Sequence, residues 1–261
     1  MINLNECKDY LKNYDDVSDD VRFIANSIIR LKILATLFER PQNMKDLADN
    51  TKLSYSSIST TLHGLELKEF VYRESNKYYL SNSLKVQIKN VLEIKDVVNL
   101  LNEFYNIIDG HVVDIIPNQS VVELYLLGKA DLLESNGIDA YKISNYIEDT
   151  LIDAERVHCI LPFYHLGFKD KLDDLVKDGK HVEVFVSKEV FETFEENSEI
   201  KYLYSFNEEN NFLLIVTDKI MILGFFKKDG HFDQNRLLTS KNSDAVKWAN
   251  NLYKSFKKKN K

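Results

Sequence analysis

The sequence predicts two domains of different class: a small α+β domain of three helices and a β-hairpin, followed by a mainly parallel α/β domain. Its 261 residues are too many for one small module and suit two domains of ordinary size. The first third of the chain has apolar residues at helical spacing and one β-rich pair of segments. Beyond Pro117, short apolar strands alternate with helices, which indicates a parallel sheet with covering helices. We place the boundaries at 18–83, 84–110 for a connecting helix, and 111–261.

The composition is that of a soluble globular protein, with 44% hydrophobic and 29% charged residues. No apolar run approaches the ~20 residues that span a bilayer. The first residues lack the basic segment and apolar core of a signal peptide, so we expect a cytoplasmic protein. Cys7 and Cys159 match no metal or redox spacing. They are predicted to be reduced thiols, with Cys159 buried on a strand.

The net charge of −7 is unevenly distributed along the chain. Residues 22–90 contain 11 basic and 6 acidic side chains, whereas residues 1–21 contain 2 and 6, and residues 91–261 contain 21 and 29. Affinity for a duplex depends on local neutralisation of phosphates. A basic segment inside an acidic protein therefore points to a module that contacts nucleic acid.

Three helices are predicted before the hairpin. The first covers residues 21–38, with Ser18, Asp19 and Asp20 as its cap and acidic first turn, and Pro41 ends it. Asn43 caps a second helix over residues 44–50. After a turn at Leu53-Ser54, a third helix covers residues 55–68. The apolar residues of the third helix that face inward are Ile58, Leu62 and Leu65.

The opposite face of the third helix carries short hydrogen-bonding side chains and no acidic residue before Glu66. The residues of this face are Tyr55, Ser56, Ser57, Ser59, Thr60 and His63. A helix that enters the major groove needs small donors and acceptors and no carboxylate beside the phosphates. Taken alone, the same face also suits a solvated helix of a protein-binding module.

Residues 70–80 form two β-rich runs around a polar Glu74-Ser75-Asn76 turn, which predicts a hairpin. Arg73 and Lys77 lie at its tip, where a wing would contact phosphates or the minor groove. The order of helix, short helix, turn, helix and hairpin predicts a winged helix-turn-helix that binds duplex DNA.

Residues 21–82, with the segment ILATLFERPQNMKDLADNTKLSYSSISTTLHGLELKEFVYRESNKYYLS, resemble the archaeal and bacterial winged-helix regulators of the arsenical-repressor type. The resemblance implies a DNA-binding domain whose first helix, helix-turn-helix and wing match this segment. The Cys and His clusters of the metal-sensing members are absent, so the resemblance implies no metal site.

The connecting helix is predicted from one apolar stripe that ends just before Gly110. The residues of the stripe are Val91, Ile94, Val97, Val98, Leu101, Phe104, Tyr105 and Ile108. Such a stripe must be buried. It packs either against its own second domain or against the same helix of a second copy, as in helix-turn-helix dimers that bind two-fold sites.

In the second domain we predict strands at 130–134, 157–161, 182–187, 200–204, 212–217 and 220–226, and helices at 121–127, 140–152, 170–178, 188–195 and 244–258. There is no glycine-rich phosphate loop and no Gly-x-Ser-x-Gly elbow. His158, within a strand, is interpreted as a core or rim histidine and not as a general base. No catalytic residue, metal or cofactor is predicted.

A ligand pocket is predicted at Phe163, Tyr164, His165 and Ser187. The first three follow a strand directly, where open α/β sheets place ligands, although a plain surface loop fits equally.

The segments VHCILPFYH, DKLDDLVKDGKHVEVFVS and NFLLIVTDKIMILGFF resemble the effector domain of archaeal two-domain regulators linked to methanogenesis and filament growth. Such domains are similar to a degenerate phospholipase D half, whose motif is His-x-Lys-x4-Asp. Asn211 and Leu213 stand at the His and Lys positions, and Asp218 alone agrees. A leucine cannot stabilise phosphate charge and an asparagine is no such nucleophile, so this chemistry is expected to be lost.

Together these patterns predict a dimeric, sequence-specific transcriptional regulator whose partners are double-stranded operator DNA, a second copy, and a small-molecule or protein effector of the second domain. Two other classes remain open: a phosphoesterase targeted to nucleic acid, and a winged-helix module that docks onto transcription machinery.

Overall fold

The computed structural model describes residues 14–196, 198–207 and 212–260, which divide into two compact units between Lys95 and Asp96. The side chains of residues 14–19, and with them the predicted cap at Ser18 and Asp19, lie outside the described part, as does Cys7. The elements of the first unit are α1 (Tyr14–Ala25), α2 (Ile28–Glu39), α3 (Met44–Thr51), α4 (Tyr55–Leu67), β1 (Val71–Glu74), β2 (Lys77–Leu80) and the start of α5 (Asn82–Glu103).

The first unit folds around one hydrophobic core to which every helix and the hairpin contribute. Strands β1 and β2 pair antiparallel, with Val71 opposite Leu80 and Glu74 opposite Lys77. The buried residues of this core include Ile24, Ile33, Leu34, Leu37, Leu47, Ile58, Leu62, Leu65, Tyr78, Leu80, Leu84 and Ile88. The predicted helices at 44–50 and 55–68 and the hairpin at 70–80 agree with the structure to within one or two residues.

The single helix predicted over residues 21–38 is wrong, because the chain breaks at Asn26 and Ser27 into α1 and α2. Ser27 has an extended backbone, and its Oγ accepts a hydrogen bond of 3.3 Å from the N–H of Arg30. This serine cap starts a new helix on a new face. Val21 and Ile28, two of the apolar residues whose spacing predicted the single helix, are consequently exposed.

The predicted connecting helix is also interrupted. Helix α5 ends at Glu103, and α6 (Tyr105–Gly110) begins after Phe104, whose side chain is buried in the second unit. The predicted stripe separates into two parts as a result. Val91 packs on the first core, whereas Phe104 and Ile108 pack on the second. The stripe residues that stay exposed are Ile94, Val98, Leu101 and Tyr105.

The remaining elements of the second unit are α7 (Asn118–Val122), a 3-10 turn (Leu124–Leu127), β3 (Asp131–Glu134), α8 (Lys142–Ile152), β4 (Arg156–Leu161), α9 (Leu166–Lys177), β5 (His181–Ser187), α10 (Lys188–Glu195), β6 (Tyr202–Phe206), β7 (Leu213–Thr217), β8 (Met221–Gly224), β9 (Arg236–Ser240) and α11 (Ser243–Asn260). In the described part of the chain, no helix is long and apolar enough to cross a membrane.

The second unit contains a seven-stranded sheet of order β3-β9-β8-β7-β4-β5-β6. Only β4, β5 and β6 run parallel, and the other neighbouring pairs are antiparallel. The prediction of a mainly parallel sheet is therefore corrected to a mixed sheet. Parallel neighbours need a long crossover such as α9, whereas the short turn at Asp218-Lys219 can join β7 and β8 only antiparallel. Strand β9 was not predicted.

Both faces of this sheet are covered. On one face, α8 and α9 pack Ile147 and Leu172 against the strands. On the other face, α11 packs Trp248, Leu252 and Phe256 against the sheet, together with residues from α5 and α6. The buried indole Nε1 of Trp248 donates a hydrogen bond of 2.9 Å to the carbonyl of Ser120. The covering helices account for the near-complete burial of the central strands.

Cys159 is a free thiol buried on β4, as the sequence predicts. Burial raises the pKa of this thiol well above its ordinary range, because the thiolate would lose its hydration. Reactivity belongs to the thiolate, so this cysteine is a packing residue.

A buried polar bridge ties the end of α6 to the β8–β9 connection. The Nδ1 of His111 lies 2.6 Å from the carbonyl of Ile107, and its Nε2 lies 2.9 Å from Oδ2 of Asp233. Asp233 also accepts a hydrogen bond from the N–H of Asn235. Because both partners are almost fully buried, neither can exchange the other for water.

We expect Asp233→Ala to lower the free energy of unfolding of the second unit by about 1–3 kcal/mol, because it leaves the buried imidazole of His111 without its hydrogen-bond partner. Asp229→Ala, an exposed carboxylate in the same connection, is the matched control and should change stability by less than about 0.5 kcal/mol. Urea denaturation measures both. Equal effects of the two variants would contradict the structural role of the bridge.

Candidate nucleic-acid interface

Helix α4 is held by a tight turn and a serine cap. Lys52 ends α3 in the left-handed conformation, with φ of 58°, and its N–H donates to the carbonyl of Ala48. Two residues later, the Oγ of Ser54 accepts a hydrogen bond of 3.2 Å from the N–H of Ser57. The reversal between α3 and α4 therefore takes only three residues, and it sets where the first turn of α4 points.

The outward face of α4 is polar and free of exposed carboxylates along its first turns. Ile58, Leu62 and Leu65 are buried, which turns the intervening positions outward. The exposed residues of this face are Tyr55, Ser56, Ser59, Thr60 and His63. Of the residues predicted to contact DNA on this helix, Ser57 differs. It is half-buried, and its Oγ lies 2.9 Å from Oγ of Ser54, so it takes part in the cap.

The hairpin presents both predicted basic residues to solvent. Arg73 lies opposite Tyr78, and Lys77 lies opposite Glu74, next to the turn. Ser75 and Asn76 both have positive φ, which gives the tight two-residue turn of a twisted hairpin. The guanidinium of Arg73 donates a hydrogen bond of 2.6 Å to Oδ1 of Asn76 and is thereby held at the tip.

Gln42, which the sequence analysis did not single out, connects the hairpin to the helices. Its carbonyl accepts a hydrogen bond of 2.8 Å from the N–H of Tyr78. Its buried amide donates to the carbonyl of Thr36 at 3.2 Å and accepts from Asn50 at 2.7 Å. The side chain of Gln42 thus joins α2 to α3, and its backbone carbonyl holds β2. The only sequence signal was a polar residue between the helix-ending Pro41 and the cap Asn43.

The basic charge of residues 22–90 is almost entirely on the surface. Ten of the eleven basic residues in this segment are exposed. The exception is Arg30, whose guanidinium lies 3.7 Å from the ring centre of Phe23. Exposed cations of this kind provide the local neutralisation that a polyanion requires.

In the second unit, the predicted pocket residues follow the carboxyl ends of β4 and β5, which are parallel neighbours. Phe163 packs on Phe232 with ring centres 4.7 Å apart, and Tyr164 packs edge-on against Phe194. The Nδ1 of His165 caps α9 by accepting a hydrogen bond of 3.4 Å from the N–H of Phe168.

Ser187 ends β5 at the same edge of the sheet. Its Oγ is buried and has no hydrogen-bond partner among the residues that the structure describes. Three open clefts in this unit are lined by other residues. The four predicted pocket residues therefore share a sheet edge, and the three aromatic ones contribute to packing or capping.

Of the three positions that match the phospholipase D motif, the structure describes Leu213 and Asp218. Asn211 lies outside the described residues, and Leu213 is fully buried on β7. Burial opposes ionisation of Asp218, but hydrogen bonds from the backbone N–H groups of Glu155, Asp218 and Arg156, together with Lys219, outweigh it and lower the pKa of this carboxyl. Asp218 thus joins the β7–β8 turn to the start of β4.

Comparison with known proteins identifies regulatory domains in both units. Residues 18–99 match the N-terminal domain of methanogenesis regulatory protein FilR1, and residues 140–259 match its middle domain. The chain is 19% identical over 258 residues to the methanogenesis regulatory protein FilR1 of Methanothrix harundinacea (strain 6Ac). That alignment covers 92% of this chain and 57% of the relative, so the chain spans little more than half of its length. These matches support a regulatory role.

Among solved structures, the chain is similar to TrmBL2, described as an archaeal chromatin protein with a novel mode of DNA binding. The TM-score is 0.40 at 12% identity, with 92% of this chain and 96% of that chain covered. It is also similar to the phospholipase D family member Nuc from Salmonella typhimurium. Here the TM-score is 0.34 at 10% identity, with 48% of this chain and 91% of that chain covered.

We expect Gln42→Ala to lower the free energy of unfolding of the first unit by about 1–3 kcal/mol, because it removes the two hydrogen bonds that the buried amide makes to Thr36 and Asn50. Gln87→Ala, an exposed glutamine on α5, should be nearly neutral. Thermal unfolding followed by circular dichroism compares them. A neutral Gln42→Ala variant would show that the amide does not stabilise the contact between α2 and α3.

Proposed function

We propose that this chain, which carries the N-terminal and middle domains of the FilR1 regulatory family, is a sequence-specific DNA-binding transcriptional regulator. The first unit acts as a winged helix-turn-helix. The observation that carries the proposal is the exposed, carboxylate-free polar face of α4 inside a unit whose basic side chains point to solvent. The proposed partner of the first unit is double-stranded operator DNA, bound in the cytoplasm.

The chemistry of the α4 face fits base edges in the major groove. Ser56, Ser59, Thr60 and His63 are spaced at three and four residues, so they form one row of short donors and acceptors. Hydroxyl and imidazole groups of this size contact both bases and phosphates. Tyr55 lies at the amino end of the row, and Ser57 acts through the cap that positions it.

The hairpin supplies the second contact. Arg73 and Lys77 lie at the tip of a short, twisted hairpin, and both side chains are exposed to solvent. Glu74, opposite Lys77, is the acidic residue beside them. A basic tip of this kind lies along phosphates or in the minor groove. Base contacts from α4 then specify the sequence, while the hairpin contributes affinity and register.

The chain acts as a homodimer through the exposed part of α5. Ile94, Val98 and Leu101 of this helix follow one another at four and three residues, which is the spacing of a seam between two packed helices. Ile94 is 63% exposed and Val98 is 49% exposed in the single chain. The occupant that suits a heptad seam is the same seam of a second copy, and two-fold pairing delivers two α4 helices to a palindromic site.

The second unit acts as a sensor that changes operator affinity. Leu213 replaces the charged residue that phosphoryl chemistry requires, which disfavours a phosphoesterase. The effector, a small molecule or a protein, is proposed to bind at the carboxyl ends of β4 and β5, near Phe163, Tyr164, His165 and Ser187. The buried, unpartnered hydroxyl of Ser187 supports this edge.

The double variant Arg73→Ala, Lys77→Ala should weaken binding to any DNA duplex and reduce the slope of log affinity against log salt concentration by about one to two units, because two phosphate contacts are lost. The matched control is Lys85→Ala, Lys89→Ala, which removes the same charge from α5. Fluorescence anisotropy with a mixed-sequence duplex measures both slopes. Equal slopes for the two variants would contradict the assignment of the hairpin as a DNA-contacting wing. If the wild type shows no salt-dependent binding to the duplex, the result would favour a module that docks onto protein.

The double variant Ile94→Asp, Val98→Asp should be monomeric at micromolar concentration, where the wild type sediments as a dimer. Its affinity for a palindromic operator should fall by ~100-fold, because two linked contacts become independent. Asn99→Asp, Asn102→Asp adds the same charge at exposed polar positions of α5 and should stay dimeric. A wild type that is monomeric, and that binds the palindromic operator no more tightly than the Ile94→Asp, Val98→Asp variant, would rule out the dimer seam.

A further inference from the structure

Two histidines and a glutamate converge on the face of the sheet that α11 covers. His158 is on β4, and His181 and Glu183 are on β5. The parallel register places His158 beside Glu183, and His181 is two residues earlier on the same face. One potential ligand atom from each residue lies within 4.8 Å of the others. Nothing in the proposed DNA-binding or effector sites uses these three side chains.

The imidazole of His158 is oriented by a hydrogen bond from its far side. Its Nδ1 lies 3.3 Å from Oδ1 of Asn250, and the Nδ2 of Asn250 donates to the carbonyl of Val246 at 3.0 Å. That second bond fixes which end of the amide faces the histidine. The Nδ1 of His158 must therefore be the donor, which leaves a lone pair on Nε2.

This arrangement is the outer-shell support that metal-ligating histidines receive. Such histidines donate their second N–H to a carboxylate or carbonyl oxygen, which fixes the tautomer and the ring plane. Asn250 provides such an oxygen, and the ring of Tyr253 stacks on His158 with centres 4.6 Å apart and nearly parallel planes. His158 is thus held on two sides, whereas His181 is exposed and can adjust.

We propose that His158, His181 and Glu183 bind a divalent transition metal ion of the zinc class. Two imidazole nitrogens and one carboxylate oxygen form a ligand set that zinc accepts, with a fourth position left for water on the exposed side of His181. Tetrahedral zinc at ~2.0–2.1 Å bond lengths needs ligand atoms about 3.4 Å apart. The ligand atoms, which lie within 4.8 Å of one another, therefore approach by at most about 1.4 Å, through rotation of the exposed His181.

Lys257 of α11 is the built-in competitor for this site. Its Nζ lies 2.6 Å and 2.8 Å from the two carboxylate oxygens of Glu183. Arg156, the register neighbour of His181, adds a second nearby positive charge. A bound dication shares Glu183 with the Lys257 ammonium or displaces it toward solvent. The metal therefore acts on the last turns of α11 as well as on β4 and β5.

Zinc titration of the purified full-length chain, in competition with a chromophoric chelator, tests the proposal without DNA. We expect one zinc ion per chain and a rise in melting temperature with zinc, because the ion binds only the folded site. His181→Ala should weaken binding by at least about 100-fold, since outer-shell partners alone are worth about 10–100-fold. His231→Ala, an exposed histidine of the same unit outside the cluster, should bind zinc like the wild type.

Three further variants, at two positions, separate a metal site from a merely structural cluster. Lys257→Gln should tighten zinc binding, because it removes the cation that competes for Glu183. Asn250→Ala should weaken it by about 10–100-fold, and Asn250→Asp should restore it, since a carboxylate accepts the same N–H bond.

The proposal is overturned if the wild type binds no zinc, if His181→Ala and His231→Ala bind it equally, or if Lys257→Gln weakens binding. None of these outcomes bears on duplex affinity, which is measured separately, so failure of the metal site and failure of the DNA-binding proposal are distinguishable.

Discussion

Burial of both faces of the central sheet is the constraint on which the second unit depends. Strands β7 and β8 are buried at every position, and β4 and β5 nearly so. A sheet of this kind is stable only when layers cover it on both sides, which α8, α9 and α11 do. The Ser187 edge and the His158–His181–Glu183 cluster lie toward opposite ends of β4 and β5, and the cluster lies under α11.

In the first unit, the main constraint is that α4 exposes one face while its other face holds it rigidly in the core. Ile58, Leu62 and Leu65 anchor α4, and their spacing determines which residues point outward. Gln42 joins α2 to α3, and the Ser54 cap fixes the start of α4. Rigid presentation matters because groups that contact a base edge must be held within a narrow range of positions. The packing of α4 on the core and the polar character of its outer face both follow from the spacing of these three apolar residues.

Features governed by local sequence were predictable, and features governed by distant partners were not. The α4 helix, the hairpin and its basic tip follow from apolar spacing and turn residues, and they agree with the structure. The breaks at Ser27 and Phe104 were missed because the apolar period runs through them, and only the tertiary core decides which stripe is buried. Strand β9 and the antiparallel half of the sheet were missed because strand order depends on pairing between distant segments. His158 was interpreted alone, since His181 and Glu183 reach it only through the β4–β5 register.

The position of Trp248 makes the second unit separately observable. It is the only tryptophan in the chain, its side chain is fully buried beneath the sheet, and its indole nitrogen donates to the carbonyl of Ser120. The first unit contains tyrosines but no tryptophan. Excitation at the red edge of indole absorbance therefore reports on one unit alone, and its emission moves toward the red when α11 leaves the sheet. Circular dichroism reports on both units together, so the two spectroscopic signals distinguish sequential from concerted unfolding.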